Sequence, residues 1–245
     1  MKINVLTLFP EMFSAVTESS ILGRAIENEI LKIELINIRD FSNNKHKKAD
    51  DSPFGGGAGM VMTADPVFRA LESIGAKGKK LIYMSPRGSV LDYPKVTELS
   101  GEKELIVLCG HYEGIDERIL EYWEMEEISI GDYILTGGEL AAMVMIDAVT
   151  RVLPNALGDS RSALEESVYS GLLEHPQYTK PREYMGMNVP EVLLNGNHEM
   201  IRLWNFEQSL LLTKERRPEL FERFVKNSTE LTKKEKKIVE KIART

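Results

Sequence analysis

Leu105–Gly138 reads LIVLCGHYEGIDERILEYWEMEEISIGDYILTGG, and its pattern decides the fold class. Two apolar runs, Leu105–Cys109 and Glu127–Ile130, read as buried strands. Each breaks into a loop rich in glycine and tyrosine: Gly110-His111-Tyr112-Glu113-Gly114 after the first, Gly131-Asp132-Tyr133 and Gly137-Gly138 after the second. A strand that ends in a glycine turn brings bare N–H and C=O groups to the sheet's carboxyl edge, where parallel sheets bind ligands. Glycine lets a flat ligand approach the backbone, and tyrosine adds a face and a hydroxyl. Two such loops point to a small-molecule pocket built from main chain.

Working outward, Ile3–Leu8 reads as a strand, Glu11–Asn28 as a helix after Phe9-Pro10, and Leu31–Ile38 as a second strand. The polar stretch Arg39–Asp51 leads into Ser52-Pro53-Phe54-Gly55-Gly56-Gly57-Ala58-Gly59 and predicts a long surface loop. A helix follows from Asp65 to Ile74. Lys80–Met84 is a third strand, ended by Ser85-Pro86-Arg87-Gly88. A helix near Asp116–Trp123 separates the two strands quoted first, and Leu140–Val149 is an apolar helix ending near Arg151 and Pro154. Strands alternating with helices predict an α/β fold, a mostly parallel sheet with helices on both faces. After Pro154 the pattern changes. Asn155–Ser170 is polar and aperiodic, and beyond Pro190 the chain reads as helices over Glu199–Leu211, Pro218–Phe224 and Lys233–Ala243. The expected organisation is a main domain over 1–160, a linker over 161–171 and a small helical C-terminal domain over 172–245.

A length of 245 residues with 42% hydrophobic content supports a real core. The apolar run Leu140–Ile146 is far too short to span a bilayer, so no membrane role is expected. The N-terminal MKINVLTLFPEMF reads as a first strand and not a signal peptide. The single cysteine, Cys109, excludes an internal disulfide and a zinc–thiolate cluster, and a reducing cytoplasm fits it. Residues 201–245 carry 12 Lys/Arg against 7 Asp/Glu, a balance of +5 in a chain of net charge −7. A polyanion would meet that segment, which is equally readable as a solvated helical face.

Gly55–Gly59 lacks the Gly-Lys-Ser/Thr ending of a phosphate loop and does not fit G-x-G-x-x-G. A surface turn and a backbone lip that closes on substrate both remain open. His111-x-Glu113 has the spacing of zinc deaminases without their P-C-x-x-C, and the four histidines show no ligand spacing, so no metal ligands are assigned. No G-x-S-x-G is present to support a nucleophile. The acids Glu113, Asp116 and Glu117, and Glu165-Glu166 with Arg151, are candidates that a solvated surface would also explain.

In order, DDSPFGGGAGM (Asp50–Met60), YMSPRG (Tyr83–Gly88), CGHYEGIDER (Cys109–Arg118), SIGDYILTGGEL (Ser129–Leu140), SGLLEHPQYTKP (Ser170–Pro181) and LLNGNHEMIRLW (Leu193–Trp204) resemble the bacterial tRNA (guanine-N1)-methyltransferase family, TrmD, of the SPOUT superfamily. The likeness runs from LFPEMF (Leu8–Phe13) to RRPEL (Arg216–Leu220). It implies a deep trefoil knot in the C-terminal part of the main domain, with S-adenosylmethionine bent in the knot's loops. It also implies a cytoplasmic homodimer with the active site at the subunit interface, tRNA bound by the helical domain, and a requirement for magnesium. The implied reaction methylates N1 of the guanosine immediately 3′ of the anticodon.

The cofactor contacts implied by motif are Tyr83, Met84, Ser85, Pro86, Gly110, Tyr112, Gly114, Ile130, Gly131, Asp132, Tyr133, Ile134, Leu135, Gly137 and Gly138. The implied substrate contacts are Glu113, Gly59, Asp50 and His46. Glu166 matches the family's general base and Arg151 its stabiliser of negative charge on guanine O6. The chain departs from the family pattern in five places. Glu166 stands where Asp is typical, His111 for a common Arg, Ala58 and Ala141 for prolines, and Asn155 for a glycine. Two alternatives stay open: an RNA methyltransferase of the same fold with another acceptor, and a non-catalytic RNA-binding relative.

Overall fold

A computed structural model describes residues 1–157, 170–228 and 230–244. The chain divides into two compact units, Met1–Ser160 and Arg161–Thr245. In chain order the first contains β1 (Lys2–Thr7), α1 (Ser14–Thr17), α2 (Ser20–Glu27), β2 (Lys32–Asn37), β3 (Asp50–Asp51), β4 (Val61–Met62) and α3 (Ala64–Ser73). Then come β5 (Lys80–Val90), α4 (Tyr93–Ser100), β6 (Glu104–Cys109), α5 (Glu117–Tyr122), β7 (Glu126–Ser129) and α6 (Glu139–Val152). Five strands form one sheet in the order β2-β1-β6-β5-β7, and every pairing is parallel. The expected α/β class with a parallel sheet is what the first unit has.

Alternation along each strand feeds two cores. Ile3, Val5, Ile82, Met84, Leu105, Val107 and Cys109 face one side, packed by α2, α4 and α6. Leu6, Leu81, Tyr83, Ile106 and Leu108 face the other, packed by α3 and α5. Each fully buried Leu or Ile contributes roughly 1.5–3 kcal/mol relative to exposure. The sheet's amino edge is stitched by ion pairs, among them Lys2–Glu34 (2.8 Å), Lys79–Glu104 (3.0 Å) and Lys80–Glu126 (2.6 Å). The carboxyl edge carries the glycine loops instead.

Four elements differ from the sequence expectation. The helix expected over Glu11–Asn28 is broken into a 3-10 turn at Pro10–Phe13, then α1 and α2. Between α1 and α2, the Thr17 and Ser19 hydroxyls donate to Phe13 O (3.0 Å) and Ala15 O (2.5 Å), and Ser20 takes a left-handed φ of 57°. Hydroxyl side chains compete with the helix ladder in this way. The third strand continues past Met84. It bulges between Met84 and Ser89 and resumes against β7. Helix α4 was not expected, although its start is signalled by Asp92-Tyr93-Pro94: the Asp92 carboxylate accepts the Lys95 N–H at 3.0 Å, and proline occupies the first turn. Asp92→Ala is expected to lower unfolding free energy by about 1 kcal/mol, read by urea denaturation with an unchanged slope. The short antiparallel pair β3–β4 was also not expected.

The second unit contains a hairpin, β8 (Glu183–Tyr184) and β9 (Met187–Asn188), then α7 (His198–Arg216), α8 (Pro218–Asn227) and α9 (Lys233–Arg244). The hairpin turns at Met185-Gly186 with φ of 51° and 75°, the two left-handed residues that a tight primed turn demands. Leu172, Leu210, Phe221, Val239 and Ile242 form the core. Thr232 and Glu235 cap α9 reciprocally: the Glu235 N–H donates to Thr232 Oγ1 (3.3 Å) and the Thr232 N–H to Glu235 Oε2 (2.8 Å).

Part of this unit's positive charge is neutralised internally. Lys234 pairs with Glu199 (2.6 Å), Lys241 with Glu207 (3.0 Å), Arg202 with Glu235, and Arg217 with Glu219. Arg216, Lys233, Lys236 and Lys237 are exposed and make no ion pair among the described residues.

Candidate functional site

Three loops leave the carboxyl edge next to one another: 85–88 in the bulge of β5, 110–114 after β6, and 130–138 between β7 and α6. They enclose a cavity of about 420 Å³, within the range of small-molecule sites. The Gly138 N–H donates to Gly110 O at 2.7 Å, and His111 and Gly137 form an antiparallel bridge. The second and third loops are therefore tied by main chain.

Every expected cofactor residue except Asp132 lines this cavity. Asp132 is exposed and outside the lining. The lining also holds the candidate acids Glu113 and Glu117 and residues given no cofactor role from sequence, among them Arg87, His111, Ile115, Leu120, Ile128 and Ala141. The apolar members among them come from strand and helix positions whose pattern reads only as core. Arg87 is held by Glu127 (2.9 Å) and Glu117 (3.2 Å), and these carboxylates raise its pKa.

The glycines act differently from the sequence expectation. Gly137 and Gly138 were expected to admit close approach of a ligand. A Cβ on Gly138 would lie 2.8 Å from Gly110 N and 2.9 Å from Cys109 Cα, and one on Gly137 would lie 2.2 Å from His111 Nε2. These glycines let one loop close on another. Gly110 likewise faces Tyr83, whose hydroxyl would stand 2.6 Å from a Cβ. Tyr83 itself is buried, and burial, followed by the charge of Glu127, raises its pKa. Gly88 passes directly against the Glu127 backbone, 2.3 Å from a hypothetical Cβ, so the bulge of β5 lies tightly against its neighbour β7.

Beside the cavity the loop from β3 to β4 packs on the second glycine loop. The Glu113 N–H donates to Met60 O (3.0 Å) and the Met62 N–H to Gly114 O (2.9 Å). A Cβ on Gly59 would sit 2.5 Å from Glu113 Oε1. Tyr112, held at a left-handed φ of 59°, donates from its hydroxyl to Asp50 Oδ1 at 3.3 Å. The structure thus brings Glu113, Gly59, Tyr112 and Asp50 together. His46 stays in its own turn, its N–H on Asn44 Oδ1 at 2.8 Å, and no described contact joins it to that group. At the tip of this loop Phe54 is fully exposed, and Gly55, Gly56 and Gly57 take left-handed conformations in open space.

Arg151 lies in the last turn of α6. Ten residues at 1.5 Å each put it about 15 Å along the helix from Ala141 in the cavity lining, and it is not itself in the lining. Glu165 and Glu166 lie outside the described residues. Asn155 adopts a φ of 66°, a conformation asparagine tolerates better than other non-glycine residues, which accounts for its standing in for glycine. Among the described residues, no group of three His, Cys, Asp or Glu is placed to hold a metal ion, and no helix is long and apolar enough to cross a membrane.

Residues 1–223 match the family described as tRNA (Guanine-1)-methyltransferase TrmD. The chain belongs to that family. Three similar relatives, each named tRNA (guanine-N(1)-)-methyltransferase, come from Clostridium perfringens, Desulforamulus reducens and Alkaliphilus oremlandii. The first is 55% identical over 224 residues, 91% of this chain and 94% of the relative. The second is 54% identical over 243 residues, 98% and 94%. The third is 52% identical over 250 residues, 99% and 98%. In TrmD terms, the likeness spans both the glycine-loop cavity and the helical second unit.

Proposed function

We propose that this chain transfers a methyl group from S-adenosylmethionine to N1 of a guanosine in tRNA, the one immediately 3′ of the anticodon. The observation that carries the reading is the convergence of three glycine loops on one cavity in a TrmD-family chain. The cavity suits the cofactor's chemistry. It offers main-chain polar groups, apolar walls at Leu120, Ile128, Ile130 and Leu135 for a flat base, and the acid Glu113 for a cationic ligand. When bound, the cofactor supplies an electrophilic methyl on a sulfonium.

The chain's residues supply the rest. Glu113, with Gly59 and Asp50 beside it, holds the guanine edge. N1 of guanine carries a proton and is a weak nucleophile, so a base must remove that proton as the methyl arrives. Glu166 is that base, and the Arg151 guanidinium opposes negative charge growing on O6.

The distance of Arg151 from its own cavity supports a site shared between two chains. Leu140 and Val144, one turn apart on α6, are 46% and 50% exposed on the stripe that continues to Arg151, and a second copy would cover them. Mixing the inactive chains Glu166→Ala and Gly138→Val should restore partial activity. Heterodimers that form and stay inactive would assign each site to one chain.

The main domain, 1–160, is read as the knotted cofactor-binding part on the strength of the family likeness. Residues 172–245 are read as the tRNA-binding part. There Lys236 and Lys237 are better placed than Lys234, which is already paired with Glu199. Lys236→Gln with Lys237→Gln should weaken tRNA binding and flatten its dependence on salt by a slope of about 1–2, as measured by filter binding from low to moderate salt. An unchanged slope would remove these lysines from the interface.

The deciding experiment is methylation of unmodified tRNA transcripts carrying G or A after the anticodon, with the product mapped by mass spectrometry. Transfer to N1 of the G substrate alone supports the reading. Transfer to another atom would establish a different acceptor, and no transfer despite RNA binding would favour the non-catalytic relative.

A further inference from the structure

Glu139 is 1% exposed at the first position of α6. An acid there would favour the helix dipole equally well from the surface. Here the carboxylate is turned inward. The Thr7 hydroxyl, itself fully buried, donates to Glu139 Oε1 at 2.7 Å and accepts the Phe9 N–H at 2.9 Å. The other oxygen, Oε2, stands 3.1 Å from His111 Nε2, within ion-pair distance, and makes no hydrogen bond there or elsewhere. A buried carboxylate is costly, and an apolar side chain would fill a purely structural position at lower cost.

The three residues come from three places: the end of β1, the loop after β6 and the first residue of α6. Gly137 lies under the crossing, since a Cβ there would stand 2.2 Å from His111 Nε2 and 2.5 Å from Glu139 Oε2. The Phe9 ring packs on the outer side of His111, with centroids 4.8 Å apart. The pair Glu139–His111 therefore spans the same two loops that the Gly138–Gly110 hydrogen bond joins, one residue away on each.

We propose that Glu139 is a positioning residue, whose buried carboxylate ties Thr7 to His111 and holds the two glycine loops at the spacing the cofactor cavity needs. The functional half of this inference rests on reading that cavity as the S-adenosylmethionine site. The structural half does not.

The test uses the full-length protein with Glu139→Gln, which is isosteric and uncharged, and His111→Phe, which keeps the ring packing and removes the nitrogen. Amide hydrogen exchange in the ligand-free protein should quicken about tenfold or more at 110–114 and 131–138 while the sheet is unchanged. KM for S-adenosylmethionine should rise about tenfold with kcat within about twofold. If Glu139→Gln does not fold, loop exchange in His111→Phe decides the tie, and its KM is set aside because His111 itself lines the cavity. Loop exchange that is unchanged, or that rises uniformly across the unit, overturns the tie. A KM that stays put while the loops loosen overturns its role in binding. Calorimetry in which the unaltered protein binds no S-adenosylhomocysteine would overturn the cofactor reading separately, with the exchange result still deciding the tie.

Discussion

Glu166→Gln lowers the single-turnover methylation rate by roughly two to four orders of magnitude and leaves cofactor affinity nearly unchanged. Glutamine keeps the size and polarity of glutamate but cannot take the N1 proton, so the loss belongs to the transition state alone. Glu166→Asp retains substantial activity, because aspartate is the usual residue there in the family and offers the same charge. Glu165→Gln matters much less. Rates of the three variants across pH test the assignment. A Glu166→Gln enzyme of near-normal rate would make Glu166 a solvated acid. Suspicion would then move to Glu113 or Asp50, which the structure places together beside the cavity.

Gly138→Val abolishes cofactor binding. The reason lies in the closure of the cavity and not in the ligand's approach. The added Cβ meets Gly110 N and Cys109 Cα at under 3 Å, and backbone cannot swing aside as a flexible side chain would. The third loop must lift from the second, which breaks the 2.7 Å hydrogen bond from Gly138 N to Gly110 O. The sheet cores lie below this contact, so circular dichroism should stay that of a folded protein. Calorimetric affinity equal to that of the unaltered chain would remove the third loop from the pocket.

The sheet was legible because parallel strands buried on both faces leave near-continuous apolar runs, as in Leu105–Cys109. The cavity was legible because glycine and tyrosine cluster where those runs end. What escaped was set by single polar contacts. Thr17 and Ser19 break the first helix through local hydroxyl bonds, with Ser20 at a left-handed φ, and Asp92 starts a helix whose cap signal sits in a short, weakly apolar segment. Glu139 read as the ordinary acid at a helix start, since its partner Thr7 is 132 residues away in sequence. At Gly137 and Gly138 sequence cannot say whether the empty side belongs to a ligand or to another loop, and the structure puts another loop within 3 Å of it. The lysines of α9 were read as one basic face, and only packing against α7 revealed which of them already have acidic partners.

Closure of Gly138 onto Gly110 also makes the cavity a late product of synthesis. The walls come from strands β5, β6 and β7, and the last wall is seated only when α6 docks. An unfinished or unfolded chain therefore has nothing with which to hold the ligand, and binding favours the folded state alone. At a free concentration a hundredfold above its dissociation constant, such a ligand adds about 2.7 kcal/mol to stability. With the methyl donor as that ligand, the cell's supply of it becomes a determinant of how long the enzyme survives proteolysis, apart from how fast it turns over.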